Sequence, residues 1–301
     1  MLALALVVLA SLTDRFFTTA NLLNQGRLMT EVALVALPMT FIIITAGIDL
    51  SVGSIMGLSA ITLGYSWKNF GLPLEAAMLL AFLISMAAGA FNGLLITRLR
   101  VPPLIMTLAT LALYRGLAEG ISQARSVRGY PEWFFVLGQG SVFGVPTQLW
   151  ILGIAIIVFW VILSRTTFGR ALYAIGHNET AARFSGIAVD RIKLAIYTAS
   201  GAMAGLAGII FVSRVSTTRS DMGTGLELDV IAAVVLGGTS IFGGVGTIAG
   251  TVLGFTLIQC LKNGLALTGV KGDATIVVIG SVLILSILIT NLLKRHRRSD
   301  G

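Results

Sequence analysis

Apolar segments follow one another along almost the whole of this chain, and that succession restricts its fold more than any other feature. They run over residues 1–13, 29–48, 52–66, 74–97, 103–121, 148–164, 193–213, 227–242, 246–266 and 273–293, separated by short polar breaks. About 20 apolar residues cross a bilayer as a helix. Several of the ten are shorter than that, so one or two are expected to be re-entrant or broken. The expected fold is therefore all-α: one polytopic helical membrane domain over 1–301, with about ten transmembrane or partly re-entrant helices. Residues 1–12 lack a basic lead-in, and no A-x-A-like site precedes Asp14, so they are read as part of a first span rather than as a secretory signal.

Composition agrees. Only 11% of residues are charged, against roughly a quarter in soluble domains. A water-facing surface could not be covered with so few. The net charge of +8 does not suggest a nucleic-acid partner, because apolar segments separate the basic residues and no basic face with interleaved aromatics appears. Positive charge on cytoplasmic loops accounts for it. Cys260 stands alone in an apolar stretch and reads as a small hydrophobe. His177 and His296 are far apart, so no metal site is expected.

The basic tail Lys294-Arg295-His296-Arg297-Arg298, within the segment 294–301, is expected to be cytoplasmic. Counting ten spans back places the N-terminus inside as well. Arg98, Arg100 and the whole 165–192 segment then fall on the same side. Arg125, Arg128, Arg214 and Arg219 fall outside, so the bias is moderate.

Two loops are long. The outer loop 122–147 carries Tyr130, Trp133 and Phe134, which suit either an interfacial hairpin or a docking surface for an external partner. In the inner loop 165–192, Asn178 is a good N-cap, Glu179 follows in the first turn, and Gly186 is a plausible stop. That predicts a short helix outside the membrane. Two turns are marginal alone, so the helix needs a surface to dock on, with Phe184 and Ile187 turned toward a partner.

Two glycine-rich runs, AGIDLSVGS at 46–54 and GGTSIFGGVGTI at 237–248, echo each other between apolar stretches. Such clusters permit broken helices that line a cavity and can mark an internal repeat. Asp49 lies in the first run. It either fixes the loop and caps the next helix together with Ser51, or takes part in a pathway. Arg115 and Glu119 have the i,i+4 spacing of a pair. Glu31, Glu227 and Asp229 are expected to be solvated at outer span ends. No chain of carboxylates suggests a proton relay. No G-x-x-x-x-G-K-[ST] loop, G-x-S-x-G elbow or Ser–His dyad is found, so no enzymatic site and no cofactor are expected.

Residues 44–60, ITAGIDLSVGSIMGLSA, resemble the GGIDLSVGS signature of the ABC sugar permeases that import ribose, rhamnose and autoinducer-2. Residues 228–254 resemble the second signature of those permeases, and 176–187, GHNETAARFSGI, their cytoplasmic coupling segment. Ala46 stands where glycine is common. The resemblance implies an inner-membrane subunit of an ATP-driven sugar importer, paired with a second permease chain, identical or not. ATP-binding subunits would dock on its cytoplasmic side and a periplasmic sugar-binding protein outside, with no nucleic acid and only lipid around it. It implies coupling through Gly176, His177, Asn178, Glu179, Ala181, Ala182, Arg183 and Gly186. In that scheme Glu179 and Arg183 anchor the helix, and Ala181 and Ala182 allow close approach. Asp49, Ser51, Gly53, Thr239 and Ser240 are the pathway or gating candidates. An ion-coupled secondary transporter and a branched-chain amino-acid permease are the rival readings.

Overall fold

The computed structural model describes residues 16–270 and, beyond them, residues 274, 277, 278, 280, 281 and 284. The expected spans 1–13 and 273–293 and the basic tail lie wholly or mostly outside the described residues.

Among these residues the chain forms ten α-helices: α1 Thr19–Ile44, α2 Val52–Lys68, α3 Leu74–Arg98, α4 Pro103–Ser122, α5 Thr147–Arg165, α6 Thr167–His177, α7 Glu179–Phe184, α8 Val189–Val215, α9 Leu226–Leu236 and α10 Ile248–Leu267. Six of them (α1, α3, α4, α5, α8 and α10) are long and apolar enough to cross a membrane. Among the described residues the only strands are two-residue pairs. β1 Val127–Arg128 pairs antiparallel with β4 Thr217–Thr218, and β2 Ser141–Val142 with β3 Val145–Pro146.

Burial sorts the helices. From Ala33 to Ile44, α1 is buried on every side, and so is most of α2. A helix apolar all round must be wrapped by others. Around this centre, α3 and α8 pack closely because small residues meet. A Cβ on Gly89 would strike the Tyr197 carbonyl, one on Gly201 the Ser85 carbonyl, and one on Gly205 the Ser85 side chain. Without a hydrophobic force between helices in lipid, such close backbone approach is what association rests on. In contrast, α4 and α5 turn Leu108, Leu113, Ile154 and Ile157 outward, as lipid-facing helices do.

Two ends result. At the first, called apical here, Tyr65 Oη donates to the Ser122 carbonyl, β1 pairs with β4, and the 124–146 segment packs on the end of α8. Tyr130 stacks on Trp67 at 4.7 Å, Phe134 is fully buried, and Phe143 at the β2–β3 tip is 95% exposed. At the opposite, basal end lie α6, α7, residues 45–51 and the 237–247 segment. Arg100 lines the same small cavity there as Glu179, Arg183 and Lys193. Arg100 and segment 165–192 thus share this end.

The expected span 227–242 is corrected. Only α9 is helical, and Gly238 takes a positive φ of 90°, which breaks the helix. Its 11 residues rise about 16 Å, half of a ~30 Å hydrocarbon core. The rest, Gly237 to Thr247, turns back as a loop into α10.

Candidate functional site

At the basal end the predicted short helix is present as α7. The Asn178 side chain accepts from the Ala181 amide at 2.9 Å, and Gly186 takes a φ of +82°, which only glycine adopts freely. Charge ties the knob down. Glu179 accepts from Arg183 at 3.0 Å and from Lys193 at 2.5 Å, and Arg183 also reaches Asp190. Partial burial alone would raise the Glu179 pKa. The hydrogen bonds and charges of Lys193 and Arg183 outweigh it and hold the carboxyl below its ordinary 4.5. Of these four residues, Glu179 and Arg183 belong to α7 and Asp190 and Lys193 to α8, so α7 is fixed to the foot of α8.

Phe184 is 89% exposed. Ala181 is exposed, but Ala182 is buried with Ile175 and Val189, and Ile187 packs against that cluster. Expecting Ala182 and Ile187 to face a partner is thus corrected: the helix turns both toward its own support.

Gly176 and His177 have a different position from the rest of the segment. A Cβ on Gly176 would strike the Ile44 carbonyl and the Gly244 amide, and His177 lies against Gly244. Tyr173 Oη donates to the Gly246 carbonyl at 2.7 Å. The two glycine-rich runs thus meet here: Ile44 ends α1 beside the first, Gly244 lies in the second, and α6 covers both.

Asp49 is fully buried. One carboxylate oxygen accepts from the Ser51 amide at 3.0 Å and the Ser51 hydroxyl at 2.6 Å. The other accepts from Ser200 Oγ at 3.0 Å. Asn92 Nδ2 donates to Ser51 Oγ at 2.8 Å, and Tyr114 Oη donates to Asn92 Oδ1 at 3.2 Å. This cluster joins α2, α3, α4 and α8. Of the two roles weighed for Asp49, the geometry displays loop fixing, but no side-chain cap of α2 forms. Gly53 is a packing position, where a Cβ would meet Glu227 Oε2 and the Gly223 carbonyl. Thr239 is buried with an unpartnered hydroxyl, and Ser240 holds the turn of the 237–247 loop through its amide and carbonyl. The five pathway candidates are therefore divided among three places.

Four charges depart from expectation. The Arg115 guanidinium donates to the carbonyls of Ser220 and Met222 rather than pairing with Glu119. Glu31 is buried and accepts from Arg214 Nε at 2.7 Å. Asp229 pairs with Lys262, while Glu227 has a buried, unpartnered Oε2. A chain fold brought distant partners to these groups, and spacing along one helix could not reveal them. Sequence reasoning also passed over Asn92 and Tyr114. The signal for them was an amide and a phenol inside apolar helices.

The family profile described as "Branched-chain amino acid transport system / permease component" matches residues 21–287. The chain is 40% identical over 299 residues to the ribose import permease protein RbsC of Escherichia coli K12, covering 96% of this chain and 91% of that protein. It is also 40% identical over 290 residues to RbsC of Bacillus subtilis 168, covering 96% and 90%. Identity to the autoinducer 2 import system permease protein LsrD of Enterobacter sp. 638 is 33% over 315 residues, covering 99% and 96%. No solved structure matches the chain.

Proposed function

This chain belongs to the branched-chain amino acid transport system / permease component family, and from that premise we propose that it is the membrane-spanning permease of an ATP-driven bacterial inner-membrane importer. Its cargo is a sugar or sugar-like solute of the pentose, rhamnose or autoinducer-2 type. The family description names amino acids, but relatives that match nearly end to end are ribose and autoinducer-2 permeases by name, which favours sugar.

The basal end faces the cytoplasm in this reading, and an ATP-binding subunit docks on α7. Phe184 enters a groove of that subunit, and Ala181 allows close approach on the same exposed side. Closure of the ATP-binding subunits pushes α7. The push passes through Glu179, Arg183 and Asn178 to α8, and through Gly176 and His177 to the two helix breaks. Gly186 lets the chain turn back beneath the knob. A second permease chain completes the pathway, and a periplasmic sugar-binding protein delivers cargo to the apical segment around Phe143. Asp49, Ser51 and Gly53 hold the first break and Thr239 and Ser240 the second, as hinge points that rearrange during transport.

One observation supports this reading above the others: a phenylalanine 89% exposed on a helix whose two charged side chains are both tied back to α8. The test is the assembled importer in vesicles. Phe184→Ala is expected to lower D-ribose uptake and binding-protein-stimulated ATP hydrolysis together, by about tenfold, with normal amounts of chain in the membrane. Unchanged uptake would overturn the docking role. Uptake that stopped on collapse of the proton gradient but survived ATP depletion would overturn ATP drive.

A further inference from the structure

A cleft of about 580 Å³ opens at the apical end between α1, α8, α9 and α10, within the 300–1,000 Å³ range of small-molecule sites. None of the pathway candidates lines it. Its walls carry amides that the coupling scheme does not use. Gln259 Nε2 donates to Gln25 Oε1 at 2.6 Å, and at the rim Asn21 and Asn263 exchange hydrogen bonds of 2.9 and 3.1 Å. Asn24 lines the cleft with no side-chain partner among the described residues. The lining of α1 runs from Asn24 to Val32, about 12 Å at 1.5 Å per residue, with the amides at its start and Leu28, Glu31 and Val32 beyond them.

The chemistry narrows the ligand. Each amide offers both a donor and an acceptor, as a sugar hydroxyl does. The charges cancel within the walls: Glu31 pairs with Arg214, and Asp229 with Lys262. No surplus of either sign is left to select an ion. Met56 and Phe211 supply apolar surface beside the amides, suited to the C–H face of a ring.

We propose that this cleft receives the solute on its way through the membrane, as a neutral polyhydroxylated molecule held by Asn24, Gln25, Gln259 and Asn263. The proposal rests on the permease reading and adds where, and by which residues, the sugar is held.

Two measurements test it, in vesicles carrying the complete importer. In a Cys260→Ala background, Asn24→Cys is expected to react with a membrane-impermeant maleimide from the apical side. Ile157→Cys, on the outward face of α5 and 62% exposed, is expected to stay unreactive. Absence of labelling at 24 would overturn the cleft as a water-filled entry. Separately, Asn24→Leu breaks no hydrogen bond within the described residues and so preserves folding. It is expected to reduce D-ribose uptake about tenfold, with ATP hydrolysis still stimulated by the binding protein. Uptake equal to that of the unaltered chain would overturn the inference while leaving the permease reading intact. If the unaltered chain imports none of D-ribose, L-rhamnose and autoinducer-2 with ATP present, the sugar reading fails and this inference fails with it.

Discussion

The Gly244 amide donates to the Ile44 carbonyl at 2.9 Å, so the end of α1 and the loop before α10 share one hydrogen bond, with Gly176 of α6 packed against both. The two glycine-rich runs, so far apart in sequence, are thus joined by backbone, and the segment leading to α7 rests on the junction.

Gly176 has no room for a side chain there. Gly176→Val is expected to destabilise the chain by about 1–3 kcal/mol, the usual cost of overpacking. That corresponds to a fall in melting temperature of about 2–4 °C per kcal/mol for a chain of this size. Thermal unfolding of the detergent-solubilised protein measures it, and a variant that melts with the original chain would remove the junction from the account.

Gly186 should behave differently, because open space surrounds it. The strain of Gly186→Val is conformational only, about 1–2 kcal/mol for a left-handed residue. The expected outcome is normal abundance with uptake reduced relative to ATP hydrolysis. Uptake and hydrolysis that stay in their original ratio would show that the turn beneath α7 is not part of coupling.

Ala46 shows the reverse case. It adopts a φ of +59°, where glycine is at ease. Ala46→Gly is expected to stabilise by about 0.5–1 kcal/mol. A melting temperature that falls instead would mean that the Ala46 methyl packs on the 237–247 loop more usefully than the backbone suffers.

Within the Asp49 cluster, the two substitutions Asp49→Asn and Asp49→Ala should separate. Asparagine keeps an acceptor for Ser51 and offers a donor to Ser200. Alanine strands the Ser51 amide and both hydroxyls, at about 1–3 kcal/mol for a buried polar group left unpaired. Asn is expected to retain folding and most uptake, and Ala to lose yield. Full loss of uptake in a stably folded Asp49→Asn chain would assign the carboxylate to the pathway instead.

The anchor of α7 should respond to acid. The carboxyl of Glu179 is held below 4.5 by Lys193 and Arg183. A carboxyl depressed on folding contributes stability above its unfolded value, which is lost as pH falls through the folded value. The knob should therefore stay docked from neutral pH to about 5 and loosen only below 4.5. Hydrogen exchange at the Ala181–Arg183 amides reads this directly, and faster exchange already at pH 6 would contradict it.

How much of this was legible in the sequence follows from how local each cause is. The cap at Asn178 and the stop at Gly186 lie within one turn of what they control, so α7 could be read with its ends. The helical, membrane-spanning class followed from long apolar runs. The partners of Arg115, Glu31 and Asp229 come from other helices, and no spacing rule reaches them. The side of α7 that Ala182 occupies was set by Ile175 and Val189, which belong to its neighbours. The amide cleft had a readable clue in the i,i+4 pairs Asn21/Gln25 and Gln259/Asn263, but which helices would face each other was a property of the fold.

The bond between Ile44 and Gly244 also has a consequence for biogenesis. Ile44 leaves the ribosome well before Gly244 is made. At about 5–20 residues per second, the intervening 200 residues (244 − 44) take about 10–40 s. Throughout that interval the carbonyl must be sheltered by water, lipid headgroups or the insertion machinery. A chain halted after Leu236 is therefore expected to be cleared by membrane proteases faster than one halted after Leu267, a difference that pulse-chase turnover would reveal.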